Sequence, residues 1–133
     1  MINSNSIKTI NYAIYPLLQF KTLLKMVKHE DYAMKHPIYF NSSIGSHVRH
    51  SFDHYNTILE NVTSNKSSLF KYDKRKRETL VETDINASLH ECEILIKQMS
   101  SPSILESIDL GSVIYILIYI FYNILFILRN RPY

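Results

Sequence analysis

An uncharged apolar run near the C-terminus constrains the fold of this chain more than any other feature. The sixteen residues from Val113 to Leu128 are Val, Ile, Tyr, Leu and Phe with a single Asn. A helix built from this run has no polar face, so protein or lipid must cover it on all sides. Extended back to Leu110 the run has nineteen residues, which is enough to cross a hydrocarbon core about 30 Å thick. The run therefore predicts either a buried helix of a bundle or a transmembrane helix.

The surroundings of the run leave three interpretations open. Acidic residues precede it and basic residues follow it, namely Glu106, Asp109, Arg129 and Arg131. The positive-inside rule would place those arginines in the cytosol and the rest of the chain outside. Lys8, Asn11 and Pro16 interrupt the apolar residues of the N-terminus, which therefore does not resemble a signal peptide. The third interpretation concerns the gene. Nearly all residues of the run can be encoded by codons made only of A and T, and Val113 needs a codon that starts with GT, as an intron does. The run therefore resembles a translated AT-rich intron.

Composition favours an all-α fold of one domain. The chain has 133 residues, of which only 2 are Gly and 4 are Pro, and this scarcity indicates helices joined by short polar loops. The net charge of +3 is too small to indicate a nucleic-acid surface. A single cysteine, Cys92, excludes an internal disulfide and points to a reducing compartment. Cys92 lies within an apolar stripe, so a core role is favoured over a nucleophilic one.

Hydrophobic periodicity predicts three amphipathic helices before the run. The first extends from Ser6 to about Lys28 and either bends or begins at Pro16. The second is capped by Ser42 or Ser43, and its stripe consists of Ile44, Val48, Tyr55, Leu59 and Val62. The third is capped by Asp84 and ends at Ser100-Ser101-Pro102; its stripe consists of Ile85, Leu89, Cys92, Ile96 and Met99. Residues 29–40 form a connector, and residues 63–83 form a polar loop that contains the basic run Lys71–Arg77.

Three histidines on the second predicted helix are the strongest candidates for chemistry. His47, His50 and His54 are spaced three and four residues apart, so their side chains are neighbours on the helix surface. At 100° per residue His47 and His54 lie within about 20° of each other, and His50 points about 40–60° further out. Neutral imidazole is a common ligand of Zn and also suits Ni. One helix rarely supplies a complete site, so the alternative of three half-exposed histidines stays open.

Other charged groups on these segments are given simpler interpretations. Arg49 and Asp53 are four residues apart on the opposite face and are predicted to form an exposed ion pair. The basic run Lys71–Arg77 fits a nuclear-localisation or phosphate-binding patch, but a solvated loop is the favoured interpretation.

The segment from Ser43 to Tyr55, SIGSHVRHSFDHY, resembles the helix signature of the DinB-like (YfiT-like) family of metal-dependent four-helix bundles. A second match follows in order, at Tyr72–Arg77 and then at Glu82-Thr83-Asp84 with Ala87. Together the two matches cover about residues 36–99.

The resemblance implies an antiparallel, up-down four-helix bundle with a divalent metal, Zn or Ni, held by three histidines. The first ligand falls on His47, and His50 and His54 match further positions of the signature. Relatives of this kind include metal-dependent hydrolases and thiol transferases. The remaining ligands of the family come from a histidine pair on the last helix, whereas this chain has no His, Cys, Asp or Glu after Asp109. The expected site is therefore partial, and the chain is expected to be inactive as it stands.

These observations define the expected organisation of the chain. Residues 1–109 form a partial DinB-like bundle, residues 110–128 an apolar helix in place of the usual last helix, and residues 129–133 a short basic tail. The alternative is a small single-pass membrane protein that uses the bundle as an interaction module. The expected location is the cytoplasm or a membrane, and the expected partners are a membrane, through residues 110–128, or a second copy in a homodimer. Nucleic acid is not among them.

Overall fold

The structure is a computed structural model. It describes residues 4–35, 37, 41–64, 80–107, 111, 115, 118–120, 122, 125 and 129. Over these residues the chain is all-helical, which confirms the predicted all-α class. The helices are α1 (Ser4–Met26), α2 (His29–Tyr32), α3 (Ile44–Ser64), α4 (Leu80–Thr83), α5 (Ile85–Met99) and α6 (Pro102–Ser107).

The first helix runs through Pro16 without interruption. It begins at Ser4, so the interpretation in which the helix starts at Pro16 is wrong. Proline removes one backbone hydrogen bond from a helix interior. Residues on both sides of it, such as Ala13 and Leu17, are buried in the core at 1% and 0% exposure. Tertiary packing on both sides therefore holds α1 together across the missing bond.

The second predicted helix is confirmed as α3, and Ser43 caps it. The Ser43 hydroxyl accepts a hydrogen bond from the backbone N–H of Ser46 at 3.0 Å, which satisfies one of the unpaired donors of the first turn. Four members of the predicted stripe are buried and Val62 is half-buried against the core. Phe52 and Ile58 extend the buried face beyond the predicted stripe.

The third predicted helix is confirmed as α5, with the predicted cap. The Asp84 side chain accepts hydrogen bonds from the backbone N–H groups of Asn86 at 2.8 Å and Ala87 at 3.4 Å. The helix ends at Met99 and is followed by Ser100, as predicted. Ser88 and Leu95 are also fully buried, although the predicted stripe does not include them.

Replacing Asp84 by Ala is expected to lower the free energy of unfolding by about 1 kcal/mol, because two N–H groups of the first turn of α5 lose their acceptor. Urea unfolding followed by circular dichroism measures the change. Asp84→Asn keeps an acceptor oxygen and is expected to retain most of the stability. Equal losses in the two variants would contradict a capping role.

The connecting segments contain helical turns that periodicity did not predict. The connector at residues 29–40 includes α2, whose Tyr32 is fully buried. The polar loop begins later than predicted, since α3 continues to Ser64, and it ends in α4. The basic run Lys71–Arg77 lies outside the described residues. The short helix α6 follows α5 directly and places Ile104 in the core.

The core lies between α1, α3 and α5. The Phe20 and Phe52 rings pack edge to face with centroids 5.7 Å apart, a favourable aromatic geometry. The Tyr55 hydroxyl donates to the Ala13 carbonyl at 2.6 Å, and the Cys92 thiol donates to the Leu17 carbonyl at 3.2 Å. These contacts join α3 and α5 to the same part of α1.

The described positions of the C-terminal segment are helical at residues 111, 115, 118–120, 122, 125 and 129. Ile120 is fully buried and belongs to the core. Most of the predicted transmembrane segment, residues 110–128, lies outside the described residues. Within the part of the chain that is described, none of the helices has both the length and the apolar character needed to cross a membrane.

Candidate functional site

The helix α3 places His50 and His54 side by side. The two residues are one helical turn apart, and their ring centroids are separated by 4.8 Å with an angle of 73° between the ring planes. The i,i+4 spacing brings side chains onto one face of a helix, which explains why the pair forms locally. His54 is 2% exposed and His50 is half-buried.

Two tyrosines of the C-terminal segment cover this histidine pair. The Tyr119 ring lies 4.5 Å from the His54 ring and 5.5 Å from the His50 ring, measured between centroids. The Tyr115 ring lies 6.3 Å from the His54 ring and 6.1 Å from the Tyr119 ring. Neither tyrosine was predicted to belong to the site. Their own spacing of four residues matches that of His50 and His54 and was the available signal.

His47 occupies a different environment from the pair. Its Nε2 atom is 3.1 Å from the Ser42 hydroxyl, and both side chains are half-buried. Ser42 lies just before the first turn of α3, so this contact is local to the start of the helix. Angular position alone grouped His47 with His54, whereas the ring contact in the structure joins His50 to His54.

The spacing of the His50 and His54 rings fits two ligands of one metal ion. Two imidazoles bound to a tetrahedral ion at about 2.0–2.1 Å have their centroids about 5 Å apart, close to the observed 4.8 Å. Among the described residues no group of three or more His, Cys, Asp or Glu side chains is arranged to hold a metal. Two further histidines, His29 and His90, are exposed on α2 and α5, and His36 lies outside the described residues.

A half-buried ion-pair cluster lies on the adjacent side of α3. Arg49 contacts Asp53 at 3.3 Å and Glu82 at 3.0 Å, and its side chain is only 13% exposed. The predicted Arg49–Asp53 pair is therefore present, but the expectation that it is exposed is wrong. The reason is that α4 packs against α3 and covers Arg49, which sequence spacing within α3 cannot reveal. Glu82 thereby links α4 to α3 through Arg49.

Two buried groups, the Tyr32 hydroxyl and the Cys92 thiol, have structural roles. The Tyr32 hydroxyl donates to the Val81 carbonyl at 2.7 Å and also bonds to the Ser88 hydroxyl, so it joins α2 to α4 and α5. Burial raises the pKa of the Tyr32 phenol above its usual range. Burial likewise raises the pKa of the Cys92 thiol to about 12. A thiol that stays protonated is a poor nucleophile, in agreement with the core role predicted for Cys92.

A cleft of about 400 Å³ lies away from the histidine pair, between α3, the end of α5 and α6. Its lining consists of Asn56, Leu59, Glu60, Gln98, Ser101, Ser103 and Ile104. Glu60 is the one carboxylate in this lining, which contains no imidazole or thiol. The other polar side chains of the lining are amides and hydroxyls.

Comparison with protein families, with curated proteins and with solved structures finds no match to this chain.

Proposed function

We propose that this chain is a DinB-like metal-binding protein whose site is incomplete, with His50 and His54 as a two-residue clamp for a divalent ion, Zn or Ni. The proposal takes the C-terminal segment as the fourth helix of an up-down bundle. The observation that carries it is the 4.8 Å separation of the His50 and His54 rings. Two neutral imidazoles at that separation offer nitrogen ligands that both metals accept.

The resemblance of residues 43–55 to the DinB-like signature supports the same helix as the site of binding. In the family pattern the first ligand corresponds to His47. In this chain His47 is bonded to Ser42, so it is the third candidate ligand rather than part of the clamp. Recruiting His47 to the ion would require its ring to leave the Ser42 hydroxyl.

A two-histidine clamp implies binding without the family's catalysis. A tetrahedral ion held by two protein ligands leaves two positions for water or for external ligands. Bound metal would polarise a group in those positions. Tyr115 and Tyr119 cover the pair from the side of the C-terminal segment, so they limit access of a substrate to the ion. The chain is proposed to be a metal-binding protein that is inactive as a hydrolase or transferase.

Titration of the purified chain with Zn²⁺ or Ni²⁺ in a calorimeter tests the proposal. One equivalent is expected to bind, and His50→Ala is expected to weaken binding at least about tenfold, since even outer-shell partners of a metal ligand contribute 10–100-fold to affinity. His54→Gln is expected to have a similar effect. Because His54 is buried, the thermal unfolding midpoint of that variant must be measured alongside its affinity.

His90→Ala is the matched control, because His90 is an exposed histidine on α5. It is expected to leave the affinity unchanged, and His47→Ala is expected to weaken binding less than His50→Ala does. A wild-type affinity in His50→Ala would refute the clamp. A large loss confined to His47→Ala would instead move the site to the start of α3.

A further inference from the structure

The cleft between α3, the end of α5 and α6 has the size of a small-molecule site. Its volume of about 400 Å³ lies within the range of about 300–1,000 Å³ that is typical of ligand pockets. Asn56, Leu59 and Glu60 form one wall, because spacings of three and four residues place their side chains on one face of α3. The rest of the lining comes from the end of α5, from Ser101 and from α6.

The cleft combines apolar side chains with a few polar groups. Leu59 and Ile104 are buried in the core and also line the cleft, so they supply an apolar surface at its base. Two amides, two hydroxyls and one carboxylate complete the lining. Ligand sites commonly pair apolar surface with a small number of polar groups that fix the orientation of the ligand. A ligand that matches this lining has a short apolar body and one polar group.

The polar groups of the cleft favour a cation. Glu60 is the one charged residue among the described residues of the lining. A second carboxylate lies beside it, since Nδ2 of Asn56 donates to Oε1 of Glu91 at 3.5 Å. With Nδ2 directed at Glu91, the Oδ1 atom is the acceptor end of the Asn56 amide. The Gln98 amide and the hydroxyls of the lining can also accept hydrogen bonds.

The end of α5 adds to the negative potential of the cleft. Gln98 is the second-last residue of this helix, and the C-terminus of a helix carries a partial negative charge of about 0.5. The helix α6 has only 6 residues and begins at Pro102, which has no backbone N–H. Its N-terminus therefore opposes this potential only weakly.

We propose that the cleft binds a small organic ammonium ion with a short apolar body. The ammonium group donates to the Glu60 carboxylate and to amide or hydroxyl oxygens of the lining, and the apolar body covers Leu59 and Ile104. A carboxylate has about four lone-pair sites, so an ammonium group can bind beside any other contact that Glu60 makes. An anion of the same size meets no cationic side chain among the described residues of the lining.

NMR titration of the ¹⁵N-labelled full chain with hexylammonium at pH 7 tests the proposal. A primary amine is protonated at this pH, since its pKa is about 10.4 in the lysine side chain. EDTA is present throughout, so that metal at the histidine pair does not take up the amine. The backbone amide signals of Leu59, Glu60, Gln98 and Ser101 are expected to shift saturably. Hexanoate and 1-hexanol have a similar apolar body without the positive charge, and both are expected to bind at least about fivefold more weakly.

Glu60→Gln keeps the shape of the side chain and removes its charge. It is expected to weaken hexylammonium binding about fivefold, the effect of an ion pair at a partly exposed position. Glu93→Gln is the matched control, because Glu93 is an exposed carboxylate of α5 that lies outside the lining, 3.5 Å from Lys21. It changes the net charge by the same amount and is expected to leave the affinity unchanged.

Three results would overturn the proposal. In the first, hexylammonium leaves the signals of the cleft unshifted. In the second, hexanoate or 1-hexanol binds as tightly as hexylammonium. In the third, Glu60→Gln and Glu93→Gln have equal effects, since overall charge and not the cleft would then attract the amine. None of these results bears on the metal proposal, because the titration is carried out without available metal.

Discussion

Replacing Gly45 by Ala is expected to lower the free energy of unfolding by about 3 kcal/mol, the upper end of the range for overpacking a core. Gly45 lies in the first turn of α3, where α4 crosses it closely. A Cβ at this position would overlap the backbone oxygen of Glu82, and it would lie 2.7 Å from the Glu82 carbonyl carbon and 3.0 Å from Cε1 of Tyr32. The overlapping atom belongs to backbone, so a change of rotamer cannot relieve the contact.

The substitution is also expected to break a specific ion pair. Moving α4 away from α3 would separate Glu82 from Arg49, which now lie 3.0 Å apart. Arg49 is largely buried, and a buried charge that loses a partner is costly. The two effects act in the same direction.

Gly111, the other glycine of the chain, provides a control in which the free energy of unfolding is expected to change in the opposite direction. Gly111 is exposed with helical backbone, so Gly111→Ala is expected to raise the free energy of unfolding by about 0.5–1 kcal/mol through helix propensity. Urea unfolding at one protein concentration compares both variants with the wild type. A Gly45→Ala variant within about 1 kcal/mol of the wild type, small on the scale of overpacked cores, would show that α4 can move away at little cost.

Local features of the fold were predictable from the sequence because they depend on neighbouring residues. The cap of α5 by Asp84 and the buried stripe of α3 follow from side chains within a few residues of one another. The close approach at Gly45 was not predictable, because it depends on α4, which begins thirty-five residues later at Leu80. The same helix makes Arg49, predicted to be exposed, half-buried.

The candidate site likewise combines features that local spacing predicts with features that depend on distant segments. The sequence indicated that His47, His50 and His54 share one region of a helix, and the structure places all three on α3. Helical angles give the direction of each Cβ but not the rotamer or the neighbouring segment. Contact with Tyr119 depends on where residues far along the chain pack, so sequence spacing alone could not select His50 as the partner of His54. Binding of metal by these residues remains a prediction.

Raising the pH above about 8.5 is expected to destabilise the protein progressively, because three buried acidic groups are held in their neutral forms. These groups are Cys92, Tyr32 and Tyr55, each 0% exposed. Burial raises the pKa of the Cys92 thiol to about 12 and raises the pKa values of both phenols above their usual range. Alkaline conditions therefore favour the unfolded chain, in which these groups can ionise.

The sign and the pH window follow from the direction of these pKa shifts. Each group has a folded pKa above its unfolded value, so its contribution is complete below the unfolded pKa and is lost as the pH rises toward the folded pKa. The unfolded values are about 8.5 for Cys and about 10 for Tyr. Cys92 alone is expected to act between about pH 8.5 and 10, with a slope of at most about 1.4 kcal/mol per pH unit. Above about pH 10 the two tyrosines add to the slope.

Urea unfolding at a series of pH values from 7 to 11 measures these slopes. Cys92→Ala is expected to remove the decline between about pH 8.5 and 10 while keeping the steeper decline above it. Tyr55→Phe is expected to keep the first decline and to reduce the second, because one of the two phenols is gone. A difference in absolute stability between a variant and the wild type does not affect the test, since the slopes are compared. Parallel curves for the wild type and Cys92→Ala would mean that the thiol ionises as readily in the folded protein as in the unfolded chain. That result is incompatible with the burial of the thiol on α5 against the Leu17 carbonyl.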